Sequence, residues 1–309
     1  MTVKKRFKAN RNYPRIDHFL RESLENTSRS QIETLFYNNK ISLNNHPVKR
    51  KNTKIKVNDI VEVEFTTEKI SIYTPSMTLQ KLYEDKDLII INKPPGISVH
   101  EGPGSSRETI LDLFNYYYPQ VKPIENAERP GIVHRLDKET SGILILAKNT
   151  ITMRGLQKQF KERRIKKTYI AMVSGHLRVR HGTINASIGR NPKRRFRYMV
   201  FESNTSYSGK IREAITHYSV QYEFKDITLI KLFPHTGRTH QLRVHLAHLG
   251  HPILGDNIYG RGKDFQRLAL HAYGIEFEHP VTGHKFTSCS PLPSIFRLYL
   301  KKLMQETGE

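Results

Sequence analysis

His134, Arg135, Asp137, Lys138 and Glu139 stand together in the stretch GIVHRLDKETSGILILAKN, residues 131–149. Titratable side chains at that density can do acid–base or electrostatic chemistry, or they can cap a turn. Gly142 then leads into Ile143-Leu144-Ile145-Leu146-Ala147, an apolar run that predicts a buried strand. The charges therefore sit where the chain enters a core. Asp137 followed by Lys, Glu, Thr, Ser and Gly is also what an ordinary turn into a strand looks like. This segment alone leaves both readings open.

A second cluster is LFPHTGRTHQLRVHLAHLGHPILGD, residues 232–256. Gly237 precedes a segment in which Leu242, Leu246 and Leu249 keep helical spacing, and Gly250 is placed to end it. Arg238 lies at the start of that helix and Arg243 follows. His240, His245, His248 and His251 raise the question of a metal. Their spacing is not H-E-x-x-H, acidic ligands nearby are scarce, and the arginines would repel a dication. The better reading is histidines that hydrogen-bond and cap, with no metal. A third element, RRIKKTYIAMVSG, ends in a strand that carries Tyr169.

These residues need elements to position them. Strands are expected at 88–92, 143–147, 168–174, 214–223, 227–233 and 268–271, and helices at 151–163, 239–249 and 293–304. Strands and helices do not alternate regularly, which argues against a doubly wound parallel sheet. The expected class is α+β, with a mixed, mainly antiparallel sheet and flanking helices over residues 81–309. A small α/β module is expected over 15–66. Ile16, Phe19, Leu20 and Leu24 keep helical spacing there, and Ile32, Leu35 and Phe36 follow a capping start at Ser28 and Ser30. Val61, Val63 and Phe65 alternate with Glu62 and Glu64, as in a half-buried strand. Asn39, Asn45 and Asn58 sit at breaks where a positive φ is needed. Residues 1–14 read as a basic arm and 67–80 as a linker. The loops HEGPGSSRE and RNPKRRFRYM read as exposed, the second with Lys193, Arg194, Arg195 and Arg197 beside Phe196 and Tyr198.

Charge sets the class of partner. The 309 residues carry 51 Lys plus Arg against 29 Asp plus Glu, a formal charge of +22. Such a surface attracts polyanions, and nucleic acid fits better than an anionic membrane because no basic amphipathic helix stands out. No apolar stretch is long enough to span a bilayer, and the basic N-terminus has no apolar segment behind it. The one cysteine, Cys289, excludes an internal disulfide framework and a cysteine zinc cluster. A cytoplasmic location fits.

PGIVHRLDKETSGILILAKN, KKTYIAMVSG and HTGRTHQLRVHLAHLGHPILGD together resemble the three signature regions of the RluA-type pseudouridine synthases. YEDKDLIIINKPPGISVH and RLALHAYGIEFEHP resemble the regions before and after them. RIDHFL, SRSQIETLFYNNKISLNNHPVK and VNDIVEVEF resemble the S-four-type RNA-binding module, with Asn39, Asn45 and Asn58 where that family commonly has Gly. The resemblance implies conversion of a uridine in RNA to pseudouridine, with no cofactor. It gives Asp137 the catalytic role, by addition to the base, attack on the ribose, or a glycal route. It implies that Tyr169 stacks on the flipped uracil and that Arg135 holds the displaced strand or a phosphate. Leu270 would close the apolar side of the pocket. The cation beside Asp137 would be Arg238, with Arg243 as the second candidate. The expected partner is large-subunit ribosomal RNA, with transfer RNA as the alternative, and the expected state is a monomer. A non-catalytic RNA-binding or ribosome-assembly protein and a metal-dependent nuclease are the competing readings. Replacing Tyr169→Phe should keep most RNA affinity, because stacking survives, and impair turnover; wild-type turnover would remove the hydroxyl from the mechanism.

Overall fold

In this computed structural model, the residues described are 2–24, 32, 35–66, 75–100, 108–121, 129–194, 196–202, 207, 209–262 and 265–307. The capping residues Ser28 and Ser30, Arg195, and most of the loop 100–108 and of the expected linker lie outside them. The chain divides into two units between Thr74 and Pro75.

The first unit contains strands β1 (Thr2–Lys8), β2 (Ile41–Leu43), β3 (His46–Pro47) and β4 (Ile60–Thr66), with helix α1 (Ile16–Ser23). They form one antiparallel sheet in the order β1-β4-β2-β3. Ile16, Phe19 and Leu20 of α1 pack on Ile41, Val61 and Val63. Asn39, Asn45 and Asn58 all take positive φ, as does Asn44. The expected basic arm is not an arm: Thr2–Lys8 pairs along the whole of β4. Without it β4 would be an open edge, and the exposed Lys4, Lys5, Arg6 and Lys8 on the new outer strand discourage further pairing. The expected boundary at 81 also shifts. Ser76 donates to Glu108, Asn92 N–H donates to Gln80 O, and Leu79 packs on the core of the second unit, so residues 75–80 belong there.

The second unit is built on a nine-stranded sheet. Its strands are β5 (Lys81–Glu84), β6 (Leu88–Lys93), β7 (Ser141–Ala147), β8 (Lys166–Ser174), β9 (His181–Asn185), β12 (Ile215–Glu223), β13 (Ile227–Pro234), β14 (Leu270–Glu278) and β15 (Lys285–Cys289). A separate ribbon pairs β10 (Ser187–Arg190) with β11 (Tyr198–Phe201). The order is β5-β6-β7-β14-β8-β13-β12-β9, with β15 on β14. Only the β7–β14 pair is parallel among these. The mainly antiparallel α+β expectation holds.

Helices flank the sheet: α2 (Ile110–Tyr117), α3 (Thr150–Lys161), α4 (Gln241–His248) and α5 (Ser294–Thr307). The run 143–147 is apolar throughout because β7 is buried on both faces. Leu144 and Leu146 meet Ile110, Leu113 and Phe114 of α2 on one face. Ile143 and Ile145 meet Met153 and Leu156 of α3 on the other. Helix α2 is an element the apolar periodicity did not foresee, although its capping box, Thr109 with Asp112, is a readable start signal.

Gly142 is where β7 meets β14. Its φ is +111°, and a Cβ there would lie 2.2 Å from the Ala272 carbonyl oxygen. Both the conformation and the close approach require glycine. Gly142→Ala should therefore lower stability by clearly more than 1 kcal/mol, read as a drop in the urea midpoint at unchanged slope.

Candidate active site

The loop that carries Asp137 is held from beneath. Lys93, fully buried at the end of β6, donates Nζ hydrogen bonds to the carbonyls of Pro94 (2.8 Å), Ile97 (3.0 Å) and Lys138 (3.1 Å). Gly96 N–H also donates to Lys138 O, and Thr140 N–H closes a turn on Asp137 O. Desolvation draws the Lys93 pKa down to about 7, with Glu139 and Asp137 opposing it and Arg267 assisting. The other end of the loop is tied through Ser141. Its hydroxyl accepts from Arg267 Nη2 at 2.6 Å and lies 2.8 Å from His271 Nδ1. His134 is structural. Its Nε2 accepts from Ile145 N–H, its ring stacks on Phe160, and burial pulls its pKa down to about 3, so the ring is neutral.

Helix α4 brings the cation. Gln241 anchors its start by donating to Ile215 O and Thr216 Oγ1 of β12 and accepting from Thr236 Oγ1 and Arg238 N–H. One position beyond Leu242, Arg243 points at the Asp137 loop. Its Nη1 lies 3.3 Å from Asp137 Oδ2, and its other face makes two 2.8 Å bonds, Nε to Asp256 Oδ2 and Nη2 to Asp256 Oδ1. The guanidinium also lies over the Tyr259 ring, 5.2 Å from its centroid. The Asp256 side chain is fully buried, Arg243's is 6% exposed and Asp137's is 17% exposed. Among the described residues, Arg243 is the one side chain that donates to the Asp137 carboxylate.

Burial works to raise the Asp256 pKa, but the Arg243 bonds and charge, and N–H donors from Ile258 and Tyr259, carry it below the ordinary carboxylate value. Burial likewise works to lower the Arg243 pKa, and the bonds and charge of Asp256, then the charge of Asp137, raise it instead.

Arg238, first choice for this partnership on sequence, is elsewhere. Its Nε donates to Glu213 O at 3.0 Å, and its surroundings are burial and the charges of Arg212, Arg163 and Glu213. It precedes the helix, so its side chain follows the loop rather than the helical surface that faces Asp137. Tyr169 lies half-buried on β8, opposite Leu232 of β13 and Ala272 of β14. Burial and then the Asp137 charge raise its phenol pKa, which places the carboxylate in its field. Leu270 is buried opposite Ala171 and so shares a sheet face with Tyr169. Arg135 is exposed, with Nη1 3.2 Å from His100 Nε2.

The four histidines of the second cluster do not gather. His245 bonds Thr216 Oγ1 and Ala186 O, His251 lies 2.9 Å from Ser174 O, and His240 lies 2.9 Å from Tyr259 Oη. Asp85, Asp87 and His279 do lie together, but His279 Nδ1 accepts from Val281 and Thr282 N–H, and Asp85 accepts from Asp87 and Leu88 N–H. That group ties turns together. Sequence reasoning missed Asp256, Lys93 and Tyr259.

Asp137, with Arg243 clamped behind it by Asp256, thus lies where its charge reaches Tyr169. The sequence profile of the RNA pseudouridylate synthase family matches residues 87–248. The ribosomal large subunit pseudouridine synthase D of Haemophilus ducreyi is 35% identical over 298 residues, covering 91% of this chain and 88% of that protein. An RNA pseudouridine synthase of Bacillus subtilis is 37% identical, covering 90% of each. The solved structure of human RNA pseudouridylate synthase domain containing 4 superposes with a TM-score of 0.58 at 27% identity, over 72% of this chain and 92% of that one. The chain belongs to the RNA pseudouridylate synthase family. Within it the chain is of the RluA type, an enzyme that isomerises uridine in RNA.

Asp256→Asn should cost about 3–5 kcal/mol, because it leaves a buried cation half-compensated. The sign with pH follows from a depressed folded-state pKa. The contribution is full above the unfolded carboxylate value and is lost as pH falls through the folded one. Urea midpoints of wild type and variant should differ most at neutral pH and converge as pH falls below about 4.

Proposed function

We propose that this enzyme acts on large-subunit ribosomal RNA and that Asp137 is its catalytic carboxylate. The observation that carries the catalytic assignment is the clamp itself. Arg243, fixed by two bonds to Asp256, donates to Asp137 Oδ2 at 3.3 Å and so pairs the half-buried carboxylate with a positive charge. Isomerisation breaks the bond between ribose carbon 1′ and uracil nitrogen 1 and forms one from carbon 1′ to carbon 5. Nitrogen 1 ends with a proton and carbon 5 loses one, so there is no net change in atoms. Addition of Asp137 to the base, attack on the ribose and proton removal by a glycal route all need the ionised form.

Reaching the bond requires the nucleotide to leave its stack, at a cost of a few kcal/mol. Stacking on Tyr169 returns about 1–3 kcal/mol of that. Leu270 supports the same face, and the exposed Arg135, two residues before Asp137, is placed to hold the strand left behind. The names of the relatives support ribosomal RNA as the substrate. The first unit, by its likeness to the S-four-type module, supplies RNA affinity, and the chain works as a monomer. The formal charge of +22 supports phosphate binding, which positions RNA without reading its sequence.

The test is pseudouridine mapping of ribosomal and transfer RNA from cells that lack the gene and are complemented with wild type or Asp137→Asn. The expected outcome is large-subunit pseudouridines that return with wild type only, while the variant still binds RNA. Isomerase activity in the variant would overturn the role of Asp137, and loss confined to transfer RNA would overturn the substrate.

A further inference from the structure

His240 is the one non-glycine residue of the α4 approach loop with a positive φ, +57°, at the N-cap position of α4. A histidine there is uncommon and strained, and such strain persists where the surroundings over-determine it. Here they do. His240 Nδ1 lies 2.9 Å from Tyr259 Oη, and the same hydroxyl accepts from Tyr198 N–H at 2.9 Å. The ring meets Tyr198 and Tyr259 edge-on, at centroid distances of 5.7 and 5.6 Å.

The proton count follows from these bonds. The Tyr259 oxygen already accepts from Tyr198, so its own proton is available to His240 Nδ1. Burial lowers the His240 pKa, with Asp137 opposing, so the ring is neutral. A neutral ring that accepts at Nδ1 carries its hydrogen on Nε2. Nε2 makes no hydrogen bond among the described residues, and it is not among the sealed-off polar atoms. The nearby charges acting on His240 include Asp137, Arg243 and Arg135, which are the residues of the site.

We infer that His240 is a further substrate-contacting residue, whose Nε2–H donates to a carbonyl oxygen of the bound uracil, and that Tyr259 is the positioning residue that sets its tautomer and aim. This rests on the proposed site around Asp137. A neutral donor suits a neutral base: it orients the carbonyl without adding a cation that would compete with Arg243 for the carboxylate. Tyr259 fits the second role because it grips both partners, His240 through its hydroxyl and Arg243 through its ring face.

The experiment is a double-mutant cycle between enzyme and substrate. Single-turnover rates are measured on a ribosomal RNA stem–loop bearing uridine, 2-thiouridine or 4-thiouridine at the modified position, sulfur being the poorer acceptor. Wild type should lose about tenfold in rate on one of the thio probes, the size of one hydrogen bond; which probe it is identifies the carbonyl. His240→Asn tolerates positive φ and should already be slow on uridine, with no further loss on that probe. Tyr259→Phe keeps the ring over Arg243 and should show the same missing penalty, with kcat reduced and KM within about twofold. Equal thio penalties in wild type and both variants would overturn the inference. A wild-type enzyme that converts no RNA stem–loop would instead overturn the proposed function.

Discussion

One buried cation organises this protein. Arg243 sits between Asp256, which it grips with two bonds, and Asp137, which it touches with one. The asymmetry matters. Two 2.8 Å bonds to a fully buried carboxylate hold the guanidinium in place and neutralise it. The contact to the other carboxylate is single and longer, 3.3 Å, and so leaves most of that group's acceptor capacity free. Desolvating an ion pair costs several kcal/mol per ion, and the geometry must return it. Here the return comes from the fork-to-carboxylate match, two backbone N–H donors on Asp256 and the Tyr259 face under the guanidinium. The pairing with Asp256 thereby fixes the cation that Asp137 meets.

The sheet makes this meeting possible. Asp137 enters β7, Tyr169 rides on β8, and Arg243 arrives on α4. Strand β14 lies between β7 and β8 and sets their separation. Gly142 allows β7 to come against β14 at the point where the loop ends. The lysine beneath the loop, Lys93, satisfies the Pro94 and Ile97 carbonyls of a bend in a buried chain and gives Lys138 O a second donor beside Gly96 N–H. Site geometry is thus carried by strands and by one buried lysine, and little of it depends on the free conformation of a loop.

Much of this was legible in the residues. The run 143–147 declared a buried strand, and Asn39, Asn45 and Asn58 declared their positive φ. Asp137 and Tyr169 were named from motif likeness, with Arg243 as the second choice of cation. The choice between Arg238 and Arg243 was not legible, for a physical reason. Every residue from Gln241 to Leu246 is buried, so α4 has no solvent face by which periodicity could pick out the inward arginine, and Leu249, expected inside, is 40% exposed. Asp256 escaped because it stands on a loop with no repeat. Lys93 escaped because a lysine closing an apolar strand looks like a surface residue until its carbonyl partners are seen. The first strand was taken for an arm because its cations outnumber its apolar residues, and only the partner β4 reveals a sheet strand with Lys4, Arg6 and Lys8 on the face away from Val61 and Val63.

Strand β14 emerges long after β7 and β8, yet it sits between them in the sheet. Pairings so distant along the chain form late, because loop closure must come before any reward. During synthesis the earlier strands have no neighbour on that side, and Asp137 and Tyr169 are not yet set at their distance in the folded sheet. A chain that has not yet reached β14 is therefore an RNA-attracting polycation in which the segments carrying Asp137 and Tyr169 are not yet joined.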